Sequence, residues 1–437
     1  MESASVLCVG DVHLGRRPGR VPDDLREQGV DPRSLAPRAA FEAVVEDALA
    51  RGDRAVLFLG DVVDTEDHFL EAYSVLERGV RRLVEAGVEV LAVAGNHDVR
   101  ALPKLAGEVP GFRLLGPGGR WEALDLPDAA GQPLLRLVGW SFPRPKVSES
   151  PLAGLSELGL TARTDVPTIG LLHCDLDQRA SQYAPVLRRD LEAASAIDGW
   201  LLGHVHAPAR TALAAPRPIG YLGSLVGLDP TETGVHGPWR LLLKGGRSFT
   251  LEQLALAPLA WVVIEVPVEG LGAADELEPA LTAALRTCAE HGGESLGAAR
   301  AVGCRLELTG KSVLHRELAA RAATLAPGDL RLEREGRLWF VDRLEDRSGA
   351  ALDLEELARS GDPPGLLARK LLALACGGAE SERLVREARE RLLRLGDRRP
   401  WTALSPAPPD DGVARAHLRR AGERALEELL AQREVRP

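Results

Sequence analysis

Carboxylates, imidazoles and one amide recur in five short clusters along this chain. Asp11 and His13 stand in GDVHLG, Asp61 in LGDVVD, Asn96 and His97 in AGNHD, His173 at the end of TIGLLH, and His204 and His206 in LLGHVH. Such donors suit hard or borderline divalent ions such as manganese, iron or zinc. Asp11 and His13 are two residues apart, as are His204 and His206, so each pair faces one side if its strand continues. A two-metal centre needs a bridging carboxylate with ligands on either side, the ions being roughly 3.5–4 Å apart. Asp61 is the expected bridge. Asp11, His13 and His206 are assigned to one ion, and Asn96, His173 and His204 to the other. Two ions so held would clamp a phosphodiester, neutralise charge developing on its oxygens, and make a water acidic enough to attack phosphorus in line. His97, beside a ligand, is placed to protonate the leaving oxygen if a carboxylate fixes its tautomer. Asp64, three residues beyond the bridge, is the expected partner, with Asp98 its competitor.

Each fragment alone has a plainer reading. An Asp-x-His in a loop usually caps and solvates, and GDxxD reads equally as a turn followed by a helix N-cap. Their order, all at the ends of apolar runs, is what points to one centre. His68 and His236 are within reach of its mouth, as substrate contacts rather than ligands. His291, His315 and His417 fall on helical patterns and read as surface or core residues. Arg16, Arg17 and Arg20 follow the first motif directly and could position backbone phosphates; a solvated loop is the equal alternative.

The elements that must carry these residues alternate. Ser5–Gly10, Arg54–Leu59 and Val88–Ala94 read as strands, and 38–50 and Phe69–Glu85 as amphipathic helices between them. This β-α-β-α-β order implies parallel strands, and ligands gather beyond the carboxyl ends of such strands. Each strand is followed at once by one of the polar clusters. From residue 112 to 253 short strands broken by Gly and Pro fit two packed sheets flanked by helices. Near residue 257 a small α+β region begins, with strands at Trp261–Val266 and 300–308, helices at 274–291 and 315–325, and a hairpin over 330–341. Beyond Asp353 the pattern is helical, over 382–395 and 412–432, with a proline-rich spacer at 404–410. The expected domains are therefore 1–256, 257–345 and 346–437.

Composition bounds the rest. The 437 residues exceed one ordinary core, and 45% hydrophobic with 27% charged residues reads as soluble and globular. No run of about 18 apolar residues offers a membrane span, and no secretory signal opens the chain. Five scattered cysteines without a CxxC pair indicate a reducing cytoplasm and no thiolate metal site. The net charge of −10 means that any polyanion must be gripped by a local patch and by metal ions.

GDVHLG, GDVVD, AGNHD, LLHCD and GHVH together resemble the calcineurin-like metallophosphoesterases. More narrowly, with AGVEVLAVAGNHD and YLGSLVGLDPTETGVHGPW, the chain is similar to the bacterial SbcD-like nucleases of double-strand-break repair. The resemblance is specific over residues 1–255. It implies a two-sheet α/β/β/α sandwich followed by a small α+β capping domain and C-terminal helices. It also implies a manganese-dependent exo- and endonuclease acting on DNA with an SbcC-like coiled-coil ATPase. Carried over by position, Asp11, His13, Asp61, Asn96, His173, His204 and His206 are the ligands and His97 the catalytic histidine. Leu222 stands where the family often has proline, and 16–37 is an arginine- and proline-bearing insertion, so both departures touch the shape of the substrate. Over 380–436 there are 13 basic and 11 acidic residues, which is no DNA signature. The apolar stripes there either dock the ATPase or pack on their own domain. The helix at 69–85 would support a homodimer on resemblance alone. A phosphoesterase for a small nucleotide-type substrate and a non-catalytic DNA-end-binding adaptor are the competing readings; the intact ligand set speaks against the second.

Overall fold

A computed structural model describes residues 4–64, 69–128, 130–178, 180–396 and 409–434. Two sheets dominate it. The first runs β11(Phe249–Gln253)-β10(Trp239–Leu243)-β1(Ser5–Val9)-β2(Ala55–Phe58)-β3(Glu89–Ala92)-β4(Phe112–Leu114), and β1 to β4 are parallel. The second runs β5(Glu122–Pro127)-β6(Pro133–Trp140)-β7(Thr168–His173)-β8(Gly199–Gly203)-β9(Ile219–Tyr221), with β6 to β9 parallel.

Side-chain alternation explains why the sheets stack. Val6, Cys8, Leu57 and Leu91 of the first sheet join Leu137, Ile169, Leu171 and Leu201 of the second in one buried cluster. Leu7, Val9, Val56 and Phe58 point the other way, onto Phe41, Val44 and Ala48 of α1(Pro37–Arg51) and Leu76, Val80 and Leu83 of α2(Phe69–Glu85). Val138, Trp200 and Leu202 on the second sheet's outer face pack with Leu191 and Ile197. Leu191 lies on α4(Arg188–Ala193), which comes after α3(Ala101–Glu108). Strands buried on both faces read as near-continuous apolar runs, which is why the core strands are visible in the sequence. The fold is the α/β/β/α sandwich expected.

The chain divides into two compact units. The first, 1–265 with 281–307 and 326–345, holds both large sheets. It also holds, apart from strand ends, a four-stranded sheet in the order β12(Leu259–Pro267)-β13(Ala301–Thr309)-β16(Arg337–Asp346)-β15(Arg331–Arg334). Trp261 and Phe340 meet edge to face there, their ring centroids 5.7 Å apart. The second unit, 266–280, 308–325 and 346–437, contains the short parallel pair β14(Lys311–Ser312) and β17(Gly349–Ala350) and a helical layer. In that layer Ala368, Leu371 and Leu426 form one small core, and Leu374, Val385 and Ala414 another. The helical patterns at 382–395 and 412–432 lie inside helices Ala379–Gly396 and Asp411–Glu434. His68 and most of the proline-rich spacer lie outside the described residues. No helix among those described is long and apolar enough to cross a membrane.

Candidate metal centre

Five loops leave the carboxyl ends of parallel strands and converge. Asp11 and His13 follow β1, Asp61 follows β2, Asn96 and His97 follow β3, His173 closes β7, and His204 and His206 follow β8. Three of these loops need unusual backbone. His13 (φ 55°), Asp61 (φ 48°) and His204 (φ 104°) all occupy the left-handed region. Non-glycine residues held there cost about 1–3 kcal/mol each and persist only where their surroundings fix them. Glycines supply the room: a Cβ on Gly95 would lie 2.2 Å from Asp61 Oδ1, and one on Gly203 would lie 2.2 Å from Leu59 O.

The donors gather as two groups, Asp11 with His13 and His206, and Asp61 with His173 and His204. Within each, the ligand atoms lie within 4.8 Å of one another. His13 Nε2 and His206 Nε2 are 3.0 Å apart, and His173 Nε2 and His204 Nδ1 are 3.2 Å apart. Ligands about 2.1 Å from an ion and at right angles to each other stand roughly 3.0 Å apart, so both pairs match shared coordination. Asn96 Oδ1 lies 3.2 Å from His173 Nε2, and Asp61 Oδ2 lies 3.3 Å from the same nitrogen. Asp11, His13, Asp61 and His173 are buried. Uncompensated carboxylates and imidazoles at such depth are costly, and divalent cations would relieve that cost. The donor set fits two ions.

Electrostatics give the same picture. Burial opposes ionisation of Asp61, yet His173, His13 and His97 beside it hold its carboxyl well below the usual range. Burial lowers His173, but Asp61 and Asp11 outweigh it and push its imidazole up to about 9. Around Asp61 and His173 the field favours positive charge, as a bound cation would supply.

Four of these side chains are aimed by a neighbour. His173 Nδ1 donates to Leu59 O at 2.9 Å, leaving Nε2 for the centre. The Asp11 carboxylate accepts from the His204 amide at 3.0 Å. His206 Nδ1 faces Glu232 Oε1 at 2.7 Å, and His204 Nε2 faces Asp175 Oδ1 at 3.3 Å. Sequence reasoning missed Glu232 and Asp175. Asp175 had a signal, since it follows His173 by two residues in LLHCD; Glu232, from a distant loop, had none.

His97 is one-third exposed, with Nδ1 3.3 Å from Asp64 Oδ1 and Nε2 4.0 Å from Asp61 Oδ2. Asp98, the competitor, is elsewhere engaged: its carboxylate accepts from the amides of Val62 and Val63, both at 3.0 Å. Burial, with Asp61 nearby, raises its carboxyl to about 7. His236 is not at the mouth of the centre; it is buried, with Nδ1 3.0 Å from Ser224 Oγ and Nε2 3.1 Å from Glu232 O. Arg16 Nε lies 3.8 Å from Asp64 Oδ2, beside the centre. Arg17 lines a cleft that opens from the same loop. Arg20 turns away, with Nη1 3.9 Å from the buried carboxylate of Asp342.

Residues 4–208 match the family described as Calcineurin-like phosphoesterase, and residues 261–349 match Metallophosphoesterase YhaO, middle domain. The DNA double-strand break repair protein Mre11 of Aeropyrum pernix is 31% identical over 240 residues, 53% of this chain and 56% of that protein. The uncharacterized metallophosphoesterase YhaO of Bacillus subtilis is 25% identical over 228 residues, 48% and 50% of the two chains. A dimetal phosphatase from Danio rerio aligns at a TM-score of 0.34 with 14% identity, covering 57% of this chain and 98% of its own. The chain thus spans about half the length of the curated relatives it matches. The matched segment, residues 4–208, carries every strand-end cluster of the centre, and it is over this segment that the chain is similar to the calcineurin-like phosphoesterases.

Proposed function

We propose that this protein is a two-metal phosphodiesterase acting on DNA, a nuclease of double-strand-break repair. The observation that carries the reading is the meeting of two complete donor groups with a histidine backed by a carboxylate. Asp11, His13 and His206 would hold one divalent ion, and His173, His204 and Asn96 the other, with Asp61 between them. When bound, the ions would supply Lewis acidity toward the phosphoryl oxygens and toward the attacking water; manganese is the proposed ion, iron or zinc the alternatives. Asp64 holds the His97 Nδ1 proton, so Nε2 faces the centre and carries the proton delivered to the leaving oxygen. Asp175 and Glu232 fix the rings of His204 and His206 from behind. DNA as substrate is supported by the likeness to the Mre11 protein, which the centre alone would not supply.

The other parts follow from the resemblance. Residues 257–345 serve as a capping domain over the substrate, and 346–437 dock a coiled-coil ATPase through exposed Leu366, Leu393, Leu395 and Val413. Helix α2, with exposed Leu70, supports a homodimer in the cytoplasm.

The test gives purified protein, with manganese, linear duplex DNA, single-stranded DNA and bis-p-nitrophenyl phosphate, beside a His97→Ala control. Metal-dependent DNA degradation is the expected result. Hydrolysis of the chromogenic diester without any attack on DNA would point instead to a small phosphodiester as substrate. No metal-dependent turnover of either would leave a tethering role.

A further inference from the structure

The segment after the first motif carries Arg16, Arg17, Arg20, Arg26 and Arg33, the first of them 3.8 Å from Asp64. Between Pro22 and Ala36 the chain makes two short 3-10 turns, Asp23–Gln28 and Pro32–Leu35. Leu25, Val30 and Leu35 are buried in the main core and pin this segment down. The Asp31 side chain accepts from the Arg33 amide at 3.0 Å and caps the second turn. The arginines on this segment are therefore displayed by an anchored scaffold, and the cost of ordering them for a ligand is reduced.

Two hollows meet along it. A cleft of about 390 Å³ is lined by Arg16, Arg17, Arg26, Arg33 and Arg38 over an apolar floor that includes Val21 and Val75. A second hollow of about 490 Å³ is lined by Arg33, Arg38 and Arg300. The two share Arg33 and Arg38, so the basic lining is continuous from Arg16 to Arg300. At one end Arg16 stands against Asp64, the carboxylate that orients His97. The acids on these linings are fewer: Asp23, Glu71 and Glu42, the last at 2.9 Å from Arg38 Nε. Arg26 has Asp31 at 3.4 Å. Among the described residues no carboxylate lies within 4.0 Å of the Arg17 or Arg33 guanidinium, Asp31 meeting Arg33 through its backbone amide.

The chain carries 49 arginines, so a group of them on a surface means little by itself. Here they line two adjoining hollows, one of which has Arg16 at its edge, 3.8 Å from Asp64, in a chain whose net charge of −10 does not favour polyanions as a whole. Guanidinium forks match phosphate oxygens in pairs. A lining that spans two hollows suits a series of phosphates better than a single one.

We propose that this track holds the non-scissile backbone phosphates of the nucleic-acid strand whose scissile phosphate enters the centre. The inference rests on the nuclease reading and adds where the strand lies: along the segment 16–38 and on toward Arg300. Contacts of this kind position the strand and read no sequence.

The test measures binding first, without metal. A labelled thymidine oligonucleotide is titrated with the full chain in EDTA over a series of salt concentrations, followed by fluorescence anisotropy. Each phosphate contact contributes about 0.7 to the slope of log affinity against log salt for a single strand. The paired variant Arg17→Ala with Arg33→Ala is expected to lower that slope by about 1.4 and the affinity about tenfold. The Arg17→Lys, Arg33→Lys pair should recover most of the slope, since the charges return. With manganese present, the alanine pair should raise KM for the oligonucleotide at least tenfold more than it raises KM for bis-p-nitrophenyl phosphate. Wild-type protein that cuts the oligonucleotide while the alanine pair keeps its slope and KM overturns the track and leaves the nuclease reading standing. Wild-type protein that hydrolyses the chromogenic diester but neither binds nor cuts the strand overturns both.

Discussion

At the scale of single residues, His97 and Asp98 are adjacent in sequence and make opposite contacts. His97 reaches the centre with Asp64 behind it, whereas Asp98 points back and ties down the loop that carries Asp61. The first pair makes a kinetic prediction. A general acid contributes about 10²–10⁴-fold where the leaving group needs a proton. His97→Ala should therefore lower kcat on DNA by that order, yet far less on bis-p-nitrophenyl phosphate, whose nitrophenolate leaves without one. Asp64→Asn should lower kcat on DNA by about 10–100-fold through the same histidine. Equal losses on both substrates would show that His97 only shapes the centre. The prediction for Asp98 is one of stability. Asp98→Ala strips two buried amides of their acceptor, an unsatisfied-donor cost of about 1–3 kcal/mol for each group. Urea unfolding in EDTA should show a loss of at least about 2 kcal/mol, whatever happens to turnover.

At the scale of elements, glycines decide whether the strand-end loops can pass one another. Gly95→Ala would place a methyl 2.2 Å from Asp61 Oδ1, against a carboxylate that also accepts from the His97 amide at 3.0 Å. It should weaken manganese binding at least tenfold by calorimetry, an effect of the size seen when ligands lose their supports. Gly107→Ala, in helix α3 where a Cβ meets nothing within 4 Å, is the control. It should be neutral or stabilising by up to about 1 kcal/mol. The same elements show why so much was legible in the sequence. β1, β2 and β3 are apolar runs ended abruptly by polar clusters, and helices α1 and α2 between them leave parallel pairing as the economical arrangement. The convergence of Asp11, Asp61 and Asn96 at one sheet end follows from that topology. What was hidden lacked such a frame. Glu232 reaches His206 from an irregular loop 26 residues on, and no local period marks it. Spacing favoured Asp64 over Asp98 without excluding the latter, and what separates them is that the Asp98 carboxylate accepts from the Val62 and Val63 amides. His236 was expected within reach of the mouth, and instead it is buried against Ser224 and Glu232, contacts that no local pattern announces.

At the scale of the whole molecule, the centre stores charge that folding must tolerate with or without ions. Asp11 and Asp61 are buried close to four histidines, and His173 responds most. Burial would lower its pKa, but Asp61 and Asp11 raise it to about 9, above the ordinary value near 6.5. A folded-state pKa raised in this way adds stability that is fully present below about pH 6.5 and is lost as pH rises through about 9. Metal binding runs in the opposite sense, because the ligand nitrogen must be deprotonated before it can coordinate. Stability in EDTA should therefore fall between about pH 6.5 and 9, while the gain from added manganese should grow over the same interval. A ligand at one hundred times its Kd contributes about 2.7 kcal/mol. Paired melts in EDTA and in manganese at several pH values would measure the gap in Tm, which should widen steadily toward alkaline pH. In Asp61→Asn the gap should collapse, and the apo protein should lose much of its slope with pH, because the charge that raises His173 is gone. A gap that is constant from pH 6 to 9, or one that survives in Asp61→Asn, would mean that manganese stabilises this chain from somewhere other than the five converging loops.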